Sequence, residues 1–144
     1  MASVSVTQAL PVDPQTAWDR LTDLATWENW LTIHQGWKSE LPTEVTQGTQ
    51  ITEVVSVMGM ANKIEWTVTE VDAPNSVAIE GTGMAGVKVK FALSVAPAET
   101  GSNITMDADF NGTMIVGPIG KAVAKNAQAD LEASLEKFAV QVAA

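Results

Sequence analysis

The chain contains a single histidine, His34, which lies two residues before Gly36. A histidine side chain titrates near neutral pH, so an accessible one can act as a general base or donate a hydrogen bond to a carbonyl group. A histidine at the end of a helix more often bonds a free backbone carbonyl. Because His34 lies near the end of a predicted short helix, its type and position support both interpretations.

A second candidate for proton transfer is Glu53, which lies in a stretch where apolar and polar residues alternate. It shares its strand parity with Ile51, Val55 and Val57, so its side chain should point to the same side of a sheet. If that side faces the interior, the carboxyl group can exchange a proton with a bound molecule. If the parity is shifted by one residue, Glu53 is an ordinary surface residue. Glu53 and His34 are the predicted catalytic residues.

Other patterns associated with catalysis or nucleotide binding carry less weight. Gly81–Gly86 matches G-x-G-x-x-G, but a dinucleotide loop must open a helix, and here a strand pattern follows. The only arginine, Arg20, flanks the apolar face of a predicted helix and should be exposed. Asp107 and Asp109 share a parity that predicts a surface pair. These patterns predict neither a nucleotide site nor a cofactor.

The composition excludes several classes of protein. Of the 144 residues, 46% are hydrophobic and 17% are charged, which is too apolar for a disordered chain. No stretch is long and apolar enough to span a membrane. The net charge of −9 repels nucleic acids and anionic membrane surfaces. Because there is no cysteine and one histidine, thiolate and multi-histidine metal sites are excluded.

Size and the N-terminal stretch suggest a single untargeted domain. A chain of 144 residues has the usual length of one domain. Residues 1–12 have neither the basic start nor the continuous apolar stretch of a signal peptide. We therefore expect one cytoplasmic domain over residues 1–144.

The N-terminal part of the chain predicts one strand and two short helices. Apolar residues alternate over 4–10, and a helix should follow with Asp13 as N-cap and Pro14 at its first position. A second helix is predicted to begin at Asp23 and to end at Gly36.

Residues 37–112 follow a period of two and are rich in valine, isoleucine and threonine. They predict antiparallel strands near 50–58, 62–71, 76–82, 87–96 and 102–111. A four-residue loop over 97–100 would pair Lys90 with Asp107 and Phe91 with Met106, which matches both charge and apolar patterns.

The C-terminal residues predict a long amphipathic helix that begins at Pro118. It should extend over roughly 25 residues, on the order of 37 Å. Its apolar residues are spaced by three or four: Ile119, Val123, Ala127, Leu131, Leu135, Phe138 and Val142.

Together these elements predict an α+β domain in which a curved antiparallel sheet of about six strands encloses the C-terminal helix. The sheet has one apolar face, and the long helix is the element able to cover it. A space between sheet and helix is a natural site for an apolar ligand. The residues predicted to line it are Trp66, Val55, Phe91, Met106, Val123 and Leu131.

The tryptophans allow two interpretations. Four of the five, Trp18, Trp27, Trp30 and Trp37, fall within twenty residues of one another. They could form an aromatic rim for flat ligands, or they could pack the two short helices against the sheet.

On these features, the chain resembles the START/polyketide-cyclase (SRPBCC, helix-grip) superfamily over essentially its whole length. The resemblance rests on Val12-Asp13-Pro14, Ala17-Trp18, Leu21-x-Asp23, Trp30, the strand meander and the C-terminal helix. The segment Trp30–Trp37 is similar to small actinobacterial members named polyketide cyclase/dehydrase and, in one mycobacterial case, toxin. The resemblance implies a cavity for lipids, polyketides or similar molecules, with catalysis in some members.

The sequence therefore favours a protein that binds a small hydrophobic or aromatic molecule, in the manner of a polyketide cyclase/dehydrase. Such a cavity would fold a poly-ketone so that aldol closure becomes intramolecular, with Glu53 or His34 moving the protons. A non-enzymatic carrier of lipids or metabolites is the alternative if neither residue faces the cavity. A toxin of a toxin–antitoxin pair is a third; the acidic charge disfavours an RNA target.

Overall fold

The computed structural model describes residues 2–42, 44–57, 60–83, 86–113 and 115–143. In chain order the elements are β1 (Ala2–Leu10), α1 (Pro14–Leu21), a 3-10 helix (Leu24–Asn29), β2 (His34–Trp37), β3 (Gln50–Val57), β4 (Met60–Asp72), β5 (Ser76–Thr82), β6 (Lys88–Pro97), β7 (Ser102–Asn111) and α2 (Gly117–Ala143). Residue 58 of one predicted strand, and residues 84 and 85 of the glycine-rich loop, lie outside these ranges.

Within the described ranges, seven strands form one antiparallel sheet in the order β1-β7-β6-β5-β4-β3-β2. From β2 to β7 each strand pairs with its successor in the chain, and β1 pairs with β7. The inner face of the sheet carries the core. α2 packs on β1 and β7 and contacts α1 and the 3-10 helix. The α+β class and the enclosed C-terminal helix are confirmed.

The predicted second helix was wrong beyond Asn29, and this changes the setting of His34. A 3-10 helix covers Leu24–Asn29, and His34–Trp37 forms β2, an edge strand paired with β3. β2 has four residues, too few to show a period of two in the sequence. It is the additional strand that makes the sheet seven-stranded.

The predicted pairing of β6 with β7 was wrong by two residues. Lys90 lies opposite Asp109, not Asp107, and Phe91 lies opposite Ala108, not Met106. The turn comprises residues 98–101, because Gly101 adopts a φ of +77° and Pro97 continues the strand to pair with Ser102. Moving the turn by one position shifts every cross-strand pair by two, so the inward and outward faces are unchanged.

α1 begins as predicted, but its N-terminal cap differs in detail. Asp13 occupies the N-cap position without a side-chain bond to the backbone. Its carboxylate instead accepts a hydrogen bond from the Thr16 hydroxyl at 2.5 Å. This bond is the main reason why the pKa of Asp13 lies below its ordinary value.

The long helix confirms most of the predicted apolar stripe. Six residues on this face of α2 are buried: Val123, Leu131, Ser134, Leu135, Phe138 and Val142. Ile119 is in phase with this stripe, yet 51% of its surface is exposed. The first turn of α2 is therefore not covered by the sheet. No helix in the described ranges is long and apolar enough to cross a membrane.

Asp130 of α2 lies at a partly buried position, and this gives a prediction about pH. Burial raises the pKa of Asp130 above its ordinary value. The folded chain therefore holds the proton more tightly than the unfolded chain, and this stabilising effect is complete below pH 3.8 and is lost as the pH rises through the folded pKa. Asp130→Asn should raise the urea midpoint slightly at pH 7, because a charge that costs free energy is removed.

The difference between the urea midpoints of Asp130→Asn and wild type should shrink as the pH falls toward 4. We expect a small effect because the side chain is partly exposed. Asp107→Asn, on the solvent side of β7, is the matched control. A midpoint difference for Asp130→Asn that grows toward low pH would show that burial does not raise the pKa of this carboxyl group.

Candidate functional site

The candidate site lies where β2, β3 and β4 adjoin at one side of the sheet. His34 pairs with Val55 and Trp37 pairs with Glu53, with a register shift between His34 and Gly36. This bulge inserts one residue, so His34 and Trp37 face the same side although they are three residues apart. Their rings are in contact, with centroids 4.8 Å apart.

Glu53 is fully buried on the inner face of β3. The predicted parity is correct, since Ile51 and Val55 on the same face are buried as well; the side chain of Val57 lies outside the described part of the chain. Both carboxylate oxygens are hydrogen-bonded. Oε1 accepts the indole N–H of Trp66 at 2.9 Å, and Oε2 is bonded to Nδ1 of His34.

The His34 ring is held in one orientation by Glu53 and Trp37. Its side chain is 3% exposed. An ionised carboxylate only accepts hydrogen bonds, so Nδ1 carries the hydrogen and a neutral ring presents an unprotonated Nε2. The hydrogen bond to Glu53 is formed through Nδ1, so Nε2, on the other side of the ring, is not engaged by that carboxylate. The arrangement can therefore accept a proton at Nε2 while Glu53 compensates the charge on the ring.

The surroundings of this trio, His34, Glu53 and Trp66, are apolar. The ring of Trp66 contacts that of Phe91 with centroids 5.0 Å apart, and Phe91 contacts Phe110 at 6.4 Å. Gly81 lies opposite Trp66 on β5, where a β-carbon would be 2.9 Å from the indole ring. The absence of a side chain at Gly81 allows the indole to lie across the neighbouring strand.

The other residues predicted to line a ligand space are all buried but are spread over more of the core. Val55 lies opposite His34. Met106 is on β7, opposite Val6 of β1, while Val123 and Leu131 are on α2. All four belong to the continuous apolar core that contains Trp66 and Phe91.

Two hollows of the molecule differ sharply in character. An apolar void of about 20 Å³ lies between the inner face of the sheet and the short helices, beside Ile51, Val68 and Trp27. It has room for about one water molecule. A hollow of about 580 Å³ lies on the outer, solvent side of the sheet and is lined by polar residues including Glu65, Glu80 and Lys90. Neither of these two hollows includes a residue of α2.

The clustered tryptophans pack the core. Trp27 lies between Trp30 and Trp37 with centroid distances of 5.5 and 5.6 Å, and Trp30 contacts Phe138 of α2. The indole N–H groups of Trp27 and Trp37 donate to backbone carbonyls in and just before the 3-10 helix. These contacts hold the 3-10 helix against β2 and so fix the position of His34.

Arg20 is half-buried, whereas the sequence predicted an exposed side chain. In the described part of the chain, no group of three histidine, aspartate or glutamate side chains lies close enough together to hold a metal ion.

Sequence reasoning identified Glu53 and His34 separately but missed their direct contact. The pairing depends on β2 and its bulge, and the sequence pattern predicts a helix where β2 lies. A glycine at 36 between His34 and Trp37 is the one local signal of the bulge, since glycine is common at such positions.

Comparison with known proteins identifies the family. A model of the polyketide cyclase / dehydrase and lipid transport family matches residues 1–143. The chain belongs to this family. Two curated members from Mycobacterium tuberculosis H37Rv are each 40% identical to it. An uncharacterised protein aligns over 96% of this chain and 97% of its own length, and a protein named as a toxin aligns over 96% of each.

Solved structures share the fold at low sequence identity. A START superfamily protein from Mycobacterium smegmatis superposes with a TM-score of 0.77 at 18% identity, covering 99% of this chain and 98% of its own. The chain therefore shares its fold with this START superfamily protein, and together with the family match this confirms the predicted superfamily.

Proposed function

We propose that this protein binds a small apolar or aromatic molecule against the inner face of the sheet and catalyses polyketide-type cyclisation, with His34 as the catalytic residue. The observation that carries the proposal is the buried trio. Glu53 has both oxygens occupied, whereas His34 uses Nδ1 for its bond to Glu53 and leaves Nε2 outside that bond. Family membership supports the class of ligand.

The cost of burying this trio argues for a functional role. Removing an ionisable pair from water costs several kcal/mol per ion, and apolar residues of the same volume are often as stabilising or more so. Glu53 is fully buried and the His34 side chain almost so. A domain that required only a packed core would not need such a pair, so we attribute it to chemistry at His34.

The proposed reaction is an intramolecular aldol closure of a poly-ketone. Nε2 of His34 takes a proton from a methylene group between two carbonyls, and the resulting enolate carbon attacks a distant ketone carbon. A carbon–carbon bond forms, and the ketone oxygen becomes an alkoxide that recovers the proton from Nε2. Loss of water can follow. The protein contributes the folded shape of the substrate and a base that is regenerated in each cycle.

The geometry gives Glu53 a different role from His34. Both of its oxygens are already bonded, so it is a positioning residue that fixes the Nδ1–H form of His34 and balances the charge of the ring. Trp66, Phe91 and Val55 form the buried apolar surroundings of this pair. We therefore propose planar or polyketide-like ligands in preference to strongly polar ones.

The test combines binding and turnover. A planar aromatic polyketide, a fatty acid and a sterol are titrated while the indole N–H signals of the tryptophans are followed by NMR. Saturable shifts of the Trp66 signal are expected with the aromatic ligand. A linear poly-β-keto thioester is then incubated with wild type and with His34→Gln, and the cyclised product is quantified by mass spectrometry.

We expect the rate of cyclisation by His34→Gln to fall about 100-fold or more, because general-base catalysis contributes at least that factor. Trp18→Phe, a substitution away from the trio, is the control. If no ligand moves the Trp66 signal, the internal site is wrong.

The two alternative functions, a non-enzymatic carrier and a toxin, predict different experimental results. Saturable binding without any cyclisation, unchanged by His34→Gln, would support a non-enzymatic carrier. The name of one 40% identical relative is the observation that favours a toxin. Growth arrest on expression of wild type, retained by His34→Gln and by Glu53→Gln, would support that alternative and contradict a role for the trio.

A further inference from the structure

The net charge of −9 is distributed very unevenly along the chain. Three segments, 54–64, 81–88 and 110–129, contain Lys63, Lys88, Lys121 and Lys125 and no acidic residue. They hold four of the eight cationic residues and none of the 17 acidic ones. The rest of the chain therefore carries the whole negative charge.

These three segments meet at one end of the molecule, which we call the lysine end. β3, β5 and β7 finish there, and β4, β6 and α2 begin there. A β-carbon on Gly112 would lie 3.4 Å from Val87, and one on Gly83 would lie 3.7 Å from Ile64. The segments are therefore neighbours in space, and their positive charges act together.

The side chains of the lysine end are available to a partner. All four lysines are exposed, and none forms a salt bridge in the part of the chain that the structure describes. Glu65 pairs with Thr82, which pairs on its other side with Lys88, and Asp109 pairs with Lys90, so both carboxylates lie on the outer face beside Lys88. The segments 54–64, 81–88 and 110–129 themselves contain no acidic residue.

Exposed apolar side chains accompany the lysines. Val116 is 58% exposed and Ile119 is 51% exposed, and both precede Lys121 at the start of α2. Ile119 is in phase with the buried stripe, yet the sheet does not cover it. Apolar side chains flanked by lysines are the combination that favours the boundary between lipid headgroups and acyl chains.

We propose that the lysine end docks on the surface of a membrane that contains anionic lipids. Lys63, Lys88, Lys121 and Lys125 bind the headgroups, and Val116 and Ile119 enter the boundary with the acyl chains. The remaining acidic surface is repelled by the same membrane, so the molecule is oriented with this end toward it. This inference goes beyond the proposed function, because it does not require His34 to act on any ligand.

Flotation with lipid vesicles tests the proposal on the full chain. Wild type should bind vesicles of phosphatidylcholine and phosphatidylglycerol at about 0.1 M salt and should dissociate as salt screens the charges. It should not bind vesicles of phosphatidylcholine alone. Lys121→Glu with Lys125→Glu should weaken binding by about tenfold or more, since each lysine near an anionic surface contributes appreciably. Ile119→Ser should weaken binding at every salt concentration.

The matched control is Lys38→Glu with Lys137→Glu, which changes the net charge equally at exposed positions outside the lysine end. This double variant should bind vesicles as wild type does. Equal loss in both double variants would overturn the proposal, as would a failure of wild type to bind anionic vesicles. Binding to a short RNA or to an acidic protein without binding to vesicles would assign the surface to a different partner and would also overturn it.

Discussion

Glu53→Gln is expected to reverse the hydrogen-bonding state of His34. In wild type the carboxylate accepts from both Trp66 Nε1 and His34 Nδ1. A glutamine has one acceptor oxygen and one amide nitrogen that only donates. Because the indole N–H can only donate, the oxygen must face Trp66 and the amide must face Nδ1. His34 then accepts at Nδ1 and carries its hydrogen on Nε2.

This reversal has two measurable consequences. Since His34 is the only histidine, its two ring nitrogens give unambiguous NMR signals. The protonated nitrogen of the neutral ring should change from Nδ1 in wild type to Nε2 in Glu53→Gln. Cyclisation should fall with the same substitution, because Nε2 no longer has a free lone pair.

The stability of Glu53 variants provides a second readout. We expect Glu53→Gln to lower the free energy of unfolding by about 1–3 kcal/mol, because a charge-assisted bond is replaced by a neutral one. Glu53→Ala should cost about 3–5 kcal/mol, since it removes one partner of a buried pair. Urea unfolding measures both differences.

Glu65→Gln is the matched control, because Glu65 is exposed on the neighbouring strand. It should change the stability by less than about 0.5 kcal/mol. If Glu53→Gln unfolds like wild type and leaves the protonated nitrogen of His34 unchanged, the proposed coupling between these side chains is absent.

The architecture could be predicted from the sequence because the patterns of apolar residues that define each strand and helix are local. Strand parity correctly placed Ile51, Glu53 and Val55 on one buried face, since a period of two over eight residues leaves few alternatives. The spacing of apolar residues predicted α2 to within one residue of its start. Both patterns arise from burial of one face of an element, which a sequence records directly.

The contact between His34 and Glu53 could not be predicted, because it depends on how distant segments meet. The two residues are 19 positions apart, and their contact requires a four-residue edge strand and a bulge within it. The register of β6 with β7 could not be predicted for the same reason. The turn conformation at Gly101 decides it, whereas charge and apolar patterns are equally well satisfied two residues away.

The exposure of Ile119 shows the limit of periodicity in another way. The spacing of apolar residues by three or four predicts which side of α2 is apolar, but it does not record where the sheet beneath the helix ends. Ile119 therefore has the sequence character of a core residue and the environment of a surface one. Such a residue indicates a contact with another molecule, because the fold itself leaves its apolar side chain without packing partners.

Gly81→Ala is expected to disturb the site from the opposite side of Trp66. The new β-carbon would lie 2.6 Å from Ile64 Cγ2, 2.8 Å from the backbone oxygen of Glu65 and 2.9 Å from Trp66 Cε3. A backbone oxygen within a sheet ladder has little freedom to move, so the strain must displace the two side chains or separate β4 from β5. We expect a loss of about 1–3 kcal/mol in unfolding free energy.

The displacement of Trp66 distinguishes this variant from a general loss of packing. Moving the indole weakens its bond to Glu53, so the Trp66 N–H signal and the His34 ring signals should shift in Gly81→Ala, together with ligand affinity. Gly36→Ala is the matched control, because a β-carbon there meets no atom within 4 Å. It should leave stability and both sets of signals close to those of wild type. If Gly81→Ala lowers stability while the Trp66 and His34 signals stay in place, the indole does not depend on Gly81, and the trio is positioned by β3 and β2 alone.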